Sequence, residues 1–128
     1  MKNEIRINPR NSVILIMDRT VGEVPESMNN GLVVATNTCV AVGTLSEFDG
    51  ETRITLLDNI EEITCNKHVV FDGFLDTPSK KISICSILDE PLVECDVPNP
   101  RTGIIVWAND EFEPDDIKVV VKKEEYEV

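Results

Sequence analysis

Short runs in which apolar and polar residues alternate recur along the whole chain, and this pattern constrains the fold more than any other feature. Alternation with a period of two places side chains on the two faces of a β-strand, whereas an amphipathic helix needs a period near 3.6. Glu4–Ile7 and Ile117–Val121 alternate in this way, and turn-forming residues such as Asn8-Pro9 separate the runs. About eight to ten short strands without helices predict an all-β fold, an antiparallel β-sandwich formed by residues 1–128 as a single domain.

Three neighbouring segments refine this prediction. The run Ser12–Met17 is apolar almost throughout, which is typical of a strand covered on both faces. Gly31–Leu45 is long enough for two strands with a bend at Thr36-Asn37. Between them, Arg19–Asn30 is rich in turn-forming residues and predicts a loop, of a length that often carries function.

Two Asp-Gly pairs predict turns. Asp49-Gly50 precedes the apolar run Thr52–Leu57, and such a pair between two strand-like runs is a strong hairpin signal. Asp72-Gly73 follows the strand-like run Lys67–Phe71 and predicts a second turn of this kind.

The charge of the chain restricts its partners. There are 24 acidic and 12 basic residues, which gives a net charge of −12. Such a surface repels the phosphate backbone of nucleic acids and the headgroups of anionic membranes, so neither is expected to bind directly. A basic protein would be attracted instead, because long-range charge complementarity raises the rate of encounter. The simpler alternative is that the charge only keeps the protein soluble.

The beginning of the chain shows no targeting segment. Residues 1–6 are polar, and the apolar run Val13–Met17 is too short for a signal peptide or a membrane span. We therefore expect a cytoplasmic protein whose cysteines stay reduced. Cys85 and Cys95 both lie in strand-like runs, where a small buried apolar role is expected.

Residues suited to catalysis or metal binding are scarce. The single histidine, His68, lies in a predicted strand, and no cysteine or serine has the surroundings of a nucleophile. Cys65 and His68 have the spacing of half a zinc site, but the second pair of ligands that a structural site needs is missing. We therefore expect a protein that is not an enzyme and that uses neither a metal ion nor a cofactor.

The most distinctive local feature is the acidic stretch from residue 110 to residue 116, which holds five carboxylates and one aromatic residue. It does not match the calcium loop of helix–loop–helix proteins. From Asp89 to Asp116 there are nine acids and one base, a concentration that suggests a surface for a basic partner, although an ordinary solvated loop is the alternative. The predicted partner-binding residues are Asp110, Glu111, Phe112, Glu113, Asp115 and Asp116. The surface would also include Asp89, Glu90, Glu94 and Asp96 if the strand that carries these residues lies alongside the acidic stretch.

The second half of the chain resembles a known family. Three strand-like segments follow each other there. The first, Ile82–Ile87, contains Ser-Ile; the second, Leu92–Pro98, ends in Val-Pro; and the third, Gly103–Trp107, follows a glycine turn and ends in tryptophan. In the first half of the chain, Gly31–Ala35 is a further predicted strand that begins with glycine. This order resembles the bacterial competence protein J family, inhibitors of a DNA-entry nuclease. The resemblance implies a related fold and a nuclease-inhibitor or immunity role, and it transfers no functional residue.

The sequence thus predicts an acidic domain that binds a basic protein, in its most concrete form an inhibitor or immunity protein for a nuclease or toxin. Two alternatives remain open. One is a structural or assembly protein that forms homo-oligomers through its sheet edges. The other is a β-sandwich that binds a small ligand; the low aromatic content, 5%, argues against sugar stacking, and Trp107 is expected in the core.

Overall fold

The computed structural model describes residues 2–28, 31–58 and 68–122, and these residues form ten strands in two five-stranded sheets. The strands are β1 Lys2–Ile7, β2 Val13–Met17, β3 Val33–Ala35, β4 Cys39–Gly43, β5 Thr52–Leu57, β6 Val69–Asp76, β7 Lys81–Cys85, β8 Pro91–Asp96, β9 Arg101–Ala108 and β10 Asp116–Lys122. The first sheet has the order β1-β5-β10-β9-β6, and the second has the order β3-β4-β2-β7-β8. Within the described ranges, no helix is long and apolar enough to span a membrane.

The predicted β-sandwich is confirmed, with one departure in strand direction. The pair β5–β10 is parallel, whereas the other strand pairs are antiparallel. The bend predicted at Thr36-Asn37 is also confirmed, since β3 and β4 form an antiparallel hairpin around it. The Thr36 hydroxyl accepts a hydrogen bond from the Cys39 amide at 3.0 Å and fixes this turn.

Alternate residues of both sheets meet in one large core. Inward-facing residues of β10, Ile117, Val119 and Val121, are fully buried, while Lys118 and Lys122 face outward, as the alternation predicted. Burial of one such aliphatic side chain contributes about 1.5–3 kcal/mol to folding. The core also contains Ile14, Ile16, Val40, Val42, Ile54, Leu56, Leu75, Ile82, Ile84, Val97, Ile104, Val106 and Ala108.

A second apolar cluster lies on the outer face of the second sheet. It is centred on β2, whose five residues are all buried, so the prediction of a strand covered on both faces is confirmed. The cover on this side comes from loops rather than a sheet, and Met28 and Ile87 are the loop residues packed against the cluster. Burial raises the pKa of the Cys39 thiol to about 11 and that of the Cys85 thiol to about 12, so both stay protonated at neutral pH.

The turn predicted at Asp49-Gly50 is present but does not form a hairpin, and the turn predicted at Asp72-Gly73 is absent. Asp49-Gly50 lies between β4 and β5, which belong to different sheets, so this turn carries the chain across the sandwich. Asp72-Gly73 lies inside β6 and pairs with Ile104 and Ile105 of β9. A side chain at Gly73 would meet the ring of Phe71, with its Cβ only 2.9 Å from Cζ, so this glycine makes room for a neighbouring aromatic ring.

The prediction for Trp107 was also wrong. Because Val106 and Ala108 face the core, the intervening Trp107 must point to the outer face of the first sheet. There the Lys118 ammonium lies 4.7 Å from the centre of the indole ring, a favourable cation–π distance.

Candidate partner-binding end of the sandwich

The predicted acidic stretch forms the connection between β9 and β10 at one end of the sandwich. Asn109 closes this loop: its Oδ1 accepts hydrogen bonds from the amides of Asp115 at 3.1 Å and Asp116 at 3.2 Å. The Nδ2 of Asn109 donates to Oδ1 of Asp115 at 2.7 Å. One amide side chain therefore joins the two ends of the loop and fixes its width.

Asp110 shapes the tip of the loop. Its Oδ2 accepts hydrogen bonds from the amides of Glu113 at 2.8 Å and Phe112 at 2.9 Å. These two bonds hold the pKa of Asp110 below its usual value, with a smaller contribution from the charge of the nearby His68. The turn leaves the Phe112 side chain 80% exposed, so an aromatic ring projects from a loop with a defined shape.

The structure brings five of the six predicted partner-binding residues to the surface. Asp110, Glu111, Phe112, Glu113 and Asp115 are exposed. Asp116 differs from them because it begins β10 and is half-buried. Its carboxylate forms an ion pair with Arg53, at 2.5 Å and 3.3 Å, and this pairing raises the pKa of Arg53. We therefore assign Asp116 to the support of the loop and not to the contact surface.

The sequence reading missed a second exposed aromatic residue at the same end. Phe48 is 89% exposed and lies in the loop between β4 and β5. The amide of Leu45 donates to the carbonyl oxygen of Pro114 at 2.8 Å, which joins this loop to the β9–β10 loop. Both tips have a phenylalanine between two acidic residues: Glu47-Phe48-Asp49 in one and Glu111-Phe112-Glu113 in the other. This repeated acid–Phe–acid triplet is the signal that would have identified Phe48.

The Phe48 loop is held as firmly as its neighbour. The Nδ2 of Asn8 donates to the carbonyl oxygens of Glu47 at 2.8 Å and Gly50 at 3.1 Å. The Glu47 carboxylate in turn accepts a hydrogen bond from the Asn11 amide at 2.9 Å. We call residues 44–51 and 109–116 together the acidic end. It carries eight carboxylates, those of Glu47, Asp49, Glu51, Asp110, Glu111, Glu113, Asp115 and Asp116.

A polar cleft of about 280 Å³ opens between the two loops. Glu51 and Asp115 contribute carboxylates to it, and Arg53 is held there by its ion pair. The remaining lining residues are Arg6, Asn109 and Asp116. The cleft therefore combines three carboxylates with two arginines, and neither aromatic tip lines it.

Residues 89–96 do not extend this surface, because their strand does not lie alongside the acidic loop. β8 is the edge strand of the second sheet and pairs with β7, whereas the acidic loop belongs to the first sheet. Carboxylates of this segment contact side chains of the second sheet and its loops instead: Asp89 pairs with Arg19 at 3.1 Å, and Glu94 accepts from the Ser83 hydroxyl at 2.7 Å.

His68 lies immediately before β6 and not within a strand. It is exposed, has a φ of 68°, and its carbonyl oxygen accepts from the Ala108 amide at 3.0 Å. Cys65, the other half of the sequence-based zinc pair, lies outside the described residues. In residues 2–28, 31–58 and 68–122, no group of three or more His, Cys, Asp and Glu side chains is placed to hold a metal ion.

Comparison with solved structures identifies proteins of the same fold. Over 96% of this chain and 95% of the other, the structure is similar to that of ComJ, the inhibitor of the DNA-degrading activity of NucA, from Bacillus subtilis, with a TM-score of 0.64 and 13% identity. It is also similar to a protein described as crocagin biosynthetic gene J, with a TM-score of 0.54, 11% identity and 96% coverage of both chains. No family model and no curated protein sequence matches the chain. The resemblance in strand order seen in the sequence is thus confirmed at the level of the fold.

Proposed function

We propose that this protein binds a basic protein through its acidic end and inhibits it, and that the partner is a nuclease or a toxin with nuclease activity. The observation that carries the proposal is the pair of acid–Phe–acid tips, which adjoining loops present at one end of the sandwich. The whole-chain similarity to ComJ supports it, because an inhibitor of a nuclease is built on this fold.

The two components of each tip have separate roles in this proposal. Carboxylates attract a basic surface over a long range and raise the association rate. They also compete for the Lys and Arg side chains with which a nuclease binds DNA phosphates. Phe48 and Phe112 then fill apolar pockets of the partner and slow dissociation, as central aromatic residues do in many interfaces.

The loops are suited to this role because they are ordered before binding. Asn109 and Asp110 fix the β9–β10 loop, and Asn8 fixes the β4–β5 loop. Preorganisation lowers the entropy lost on association and so increases affinity. Inhibition in this form needs no catalytic residue, metal ion or cofactor, and we propose that it takes place in the cytoplasm.

The first test is capture of the partner. The immobilised protein is exposed to lysate of its native host at low and at moderate salt, and bound proteins are identified by mass spectrometry. We expect a basic protein that is released by salt. The purified partner should degrade DNA, and a stoichiometric amount of this protein should stop that degradation. A captured protein without nuclease activity, or a nuclease that stays active in the complex, would contradict the proposal.

Phe48→Ala combined with Phe112→Ala tests the aromatic anchors. We expect the dissociation constant for the captured nuclease to rise by about 30-fold or more, since loss of an interface anchor typically costs at least about 2 kcal/mol. Phe74→Ala is the control, because Phe74 is an exposed phenylalanine that lies away from the tips, on the outer face of the first sheet beneath Arg101. Equal affinities for the double variant and the wild type would exclude the tips as the contact surface.

A further inference from the structure

A cavity of about 280 Å³ lies beneath the loop that covers the second sheet. Its floor is the outer face of β2 and β4, formed by Val13, Leu15 and Ala41. Val24 and Met28 of the covering loop form its roof. The remaining lining residues are Asn11, Ser12, Pro25, Glu26, Ser27 and Ile87. This cavity is separate from the cleft at the acidic end.

The loop above the cavity is tied to the β3–β4 turn on one side of the roof and closed by a local hydrogen bond on the other. Before the roof, Glu23 donates its amide to the Thr38 hydroxyl at 2.9 Å and accepts at its carbonyl from the Thr36 hydroxyl at 2.8 Å. After the roof, the Gly31 amide donates to the carbonyl of Met28 at 2.7 Å. The roof is thus tied to the β3–β4 turn and closed on itself, so the cavity is preformed, which is usual for small-molecule sites.

The lining defines the chemistry that would fit. The floor and roof are aliphatic, so an apolar body would displace water from them at little cost in lost hydrogen bonds. Glu26 is exposed and is the one charged residue of the lining. A cationic group at the mouth would therefore be attracted by Glu26 and by the net charge of −12, whereas an anionic group would be repelled by both.

We propose that this cavity binds a small cationic amphiphile: an amine with a compact aliphatic or aromatic body. The volume lies near the lower end of the range for ligand pockets and suits about a dozen non-hydrogen atoms. The apolar body lies between Leu15 and Met28, and the ammonium group lies at the mouth beside Glu26. This proposal does not rest on the proposed inhibition, since the cavity shares no lining residue with the cleft at the acidic end.

Methyl NMR spectra of the full chain test the site directly. Phenylbutylamine is titrated to about 10 mM, a range suited to a ligand of this size, and phenylbutyrate serves as the control of equal body and opposite charge. We expect shifts at the methyl groups of Val13, Leu15 and Met28 with the amine, and at least about tenfold weaker binding of the acid. The methyl groups of Leu56, in the core between the sheets, should not shift.

Two variants and one control decide where the amine binds. Ala41→Ile fills the floor of the cavity and should reduce binding by about tenfold or more, while Ala35→Ile, an equal change at an exposed position of β3 outside the lining, should leave it unchanged. Glu26→Lys is at an exposed position, needs no repacking, and should reverse the preference between amine and acid. Absence of shifts, equal binding of the amine and the acid, or unchanged binding by both Ala41→Ile and Glu26→Lys would overturn the proposal.

Discussion

Two acidic stretches of similar charge make different contacts in this molecule. Four of the five carboxylates of the first, residues 110–116, are exposed, and Asp110 is bonded to amides of its own loop; the fifth, Asp116, pairs with Arg53. Carboxylates of the second, residues 89–96, are bonded to other side chains: Asp89 to Arg19 and Glu94 to Ser83. A carboxylate already engaged by a side chain of the protein has fewer acceptors to offer to a partner.

The comparison shows that charge density alone does not tell whether carboxylates are exposed or engaged by other side chains. Both stretches contribute to the same negative total in the sequence, yet one supports a sheet edge and the other projects from a sheet end. The difference lies in the contacts of each carboxylate, and it predicts which substitutions will change stability and which will change binding.

The carboxylate of Asp18 is buried and fully hydrogen-bonded, so its substitution should give the largest effect on stability. It is 1% exposed, and its carboxylate accepts from the Ser79 amide at 2.8 Å, the Thr20 amide at 3.0 Å and the Thr20 hydroxyl at 2.7 Å. Burial alone would raise the pKa of Asp18, but these hydrogen bonds outweigh it and lower the pKa. In Asp18→Asn, an NH₂ group replaces one acceptor, so we expect a loss of about 1–3 kcal/mol in urea unfolding at neutral pH.

The pH dependence provides the control for this prediction. Because the pKa of Asp18 is lowered in the folded protein, its stabilisation is complete above the unfolded value of about 3.9 and is lost as the pH falls through the lower folded value. The difference between wild type and Asp18→Asn should therefore shrink in acid. A difference that does not change with pH would show that the charge of Asp18 contributes nothing.

Two matched pairs of substitutions test the comparison itself. Glu111→Gln with Glu113→Gln removes two charges from the exposed loop, and Glu90→Gln with Glu94→Gln removes two from the engaged segment. At low salt, we expect the first pair to lower the association rate with the captured nuclease by about tenfold and the second by less than about threefold. Surface plasmon resonance at several salt concentrations measures both. Equal effects would mean that only the net charge matters.

Asp110 should contribute to binding through the loop shape that it fixes more than through its own negative charge. Asp110→Ala removes the acceptor for the amides of Phe112 and Glu113, so the tip loses its preformed turn. We expect about threefold weaker binding, because the loop must then be ordered on association. Asp110→Asn keeps an oxygen acceptor and should retain most of the affinity. If the Asn variant bound as weakly as the Ala variant, the charge and not the turn would be responsible.

The alternation of side chains predicted the strands well, but not how they are arranged in space. Ile117–Val121 was correct in face and extent because the lysines mark its outer side. Ile104–Ala108 is apolar at every position, so the sequence gives no sign that Trp107 points outward. Asp49-Gly50 has the same local chemistry whether the chain returns within its sheet or crosses to the other, and only the pairing partners of β5 distinguish the two.

The candidate site was predicted in part for the same reason. The loop around Phe112 was found because its charges are consecutive in the chain. Phe48 was missed because its position beside that loop depends on a contact between distant segments, the hydrogen bond from Leu45 to Pro114. Likewise, the sequence grouped residues 89–96 with the loop because they are near in number, although they lie in different sheets.

We expect the smallest effect on stability from breaking the ion pair of Arg19 and Asp89. The contact is 3.1 Å long and raises the pKa of Arg19, yet both side chains are more than a third exposed. Solvent screens such pairs, and holding two side chains in one geometry costs entropy. Arg19→Ala should therefore shift the melting temperature by no more than about 4 °C. A larger shift that Asp89→Asn reproduces would show that engagement at this edge is a source of stability, and it would make the two acidic stretches differ in energy as well as in contacts.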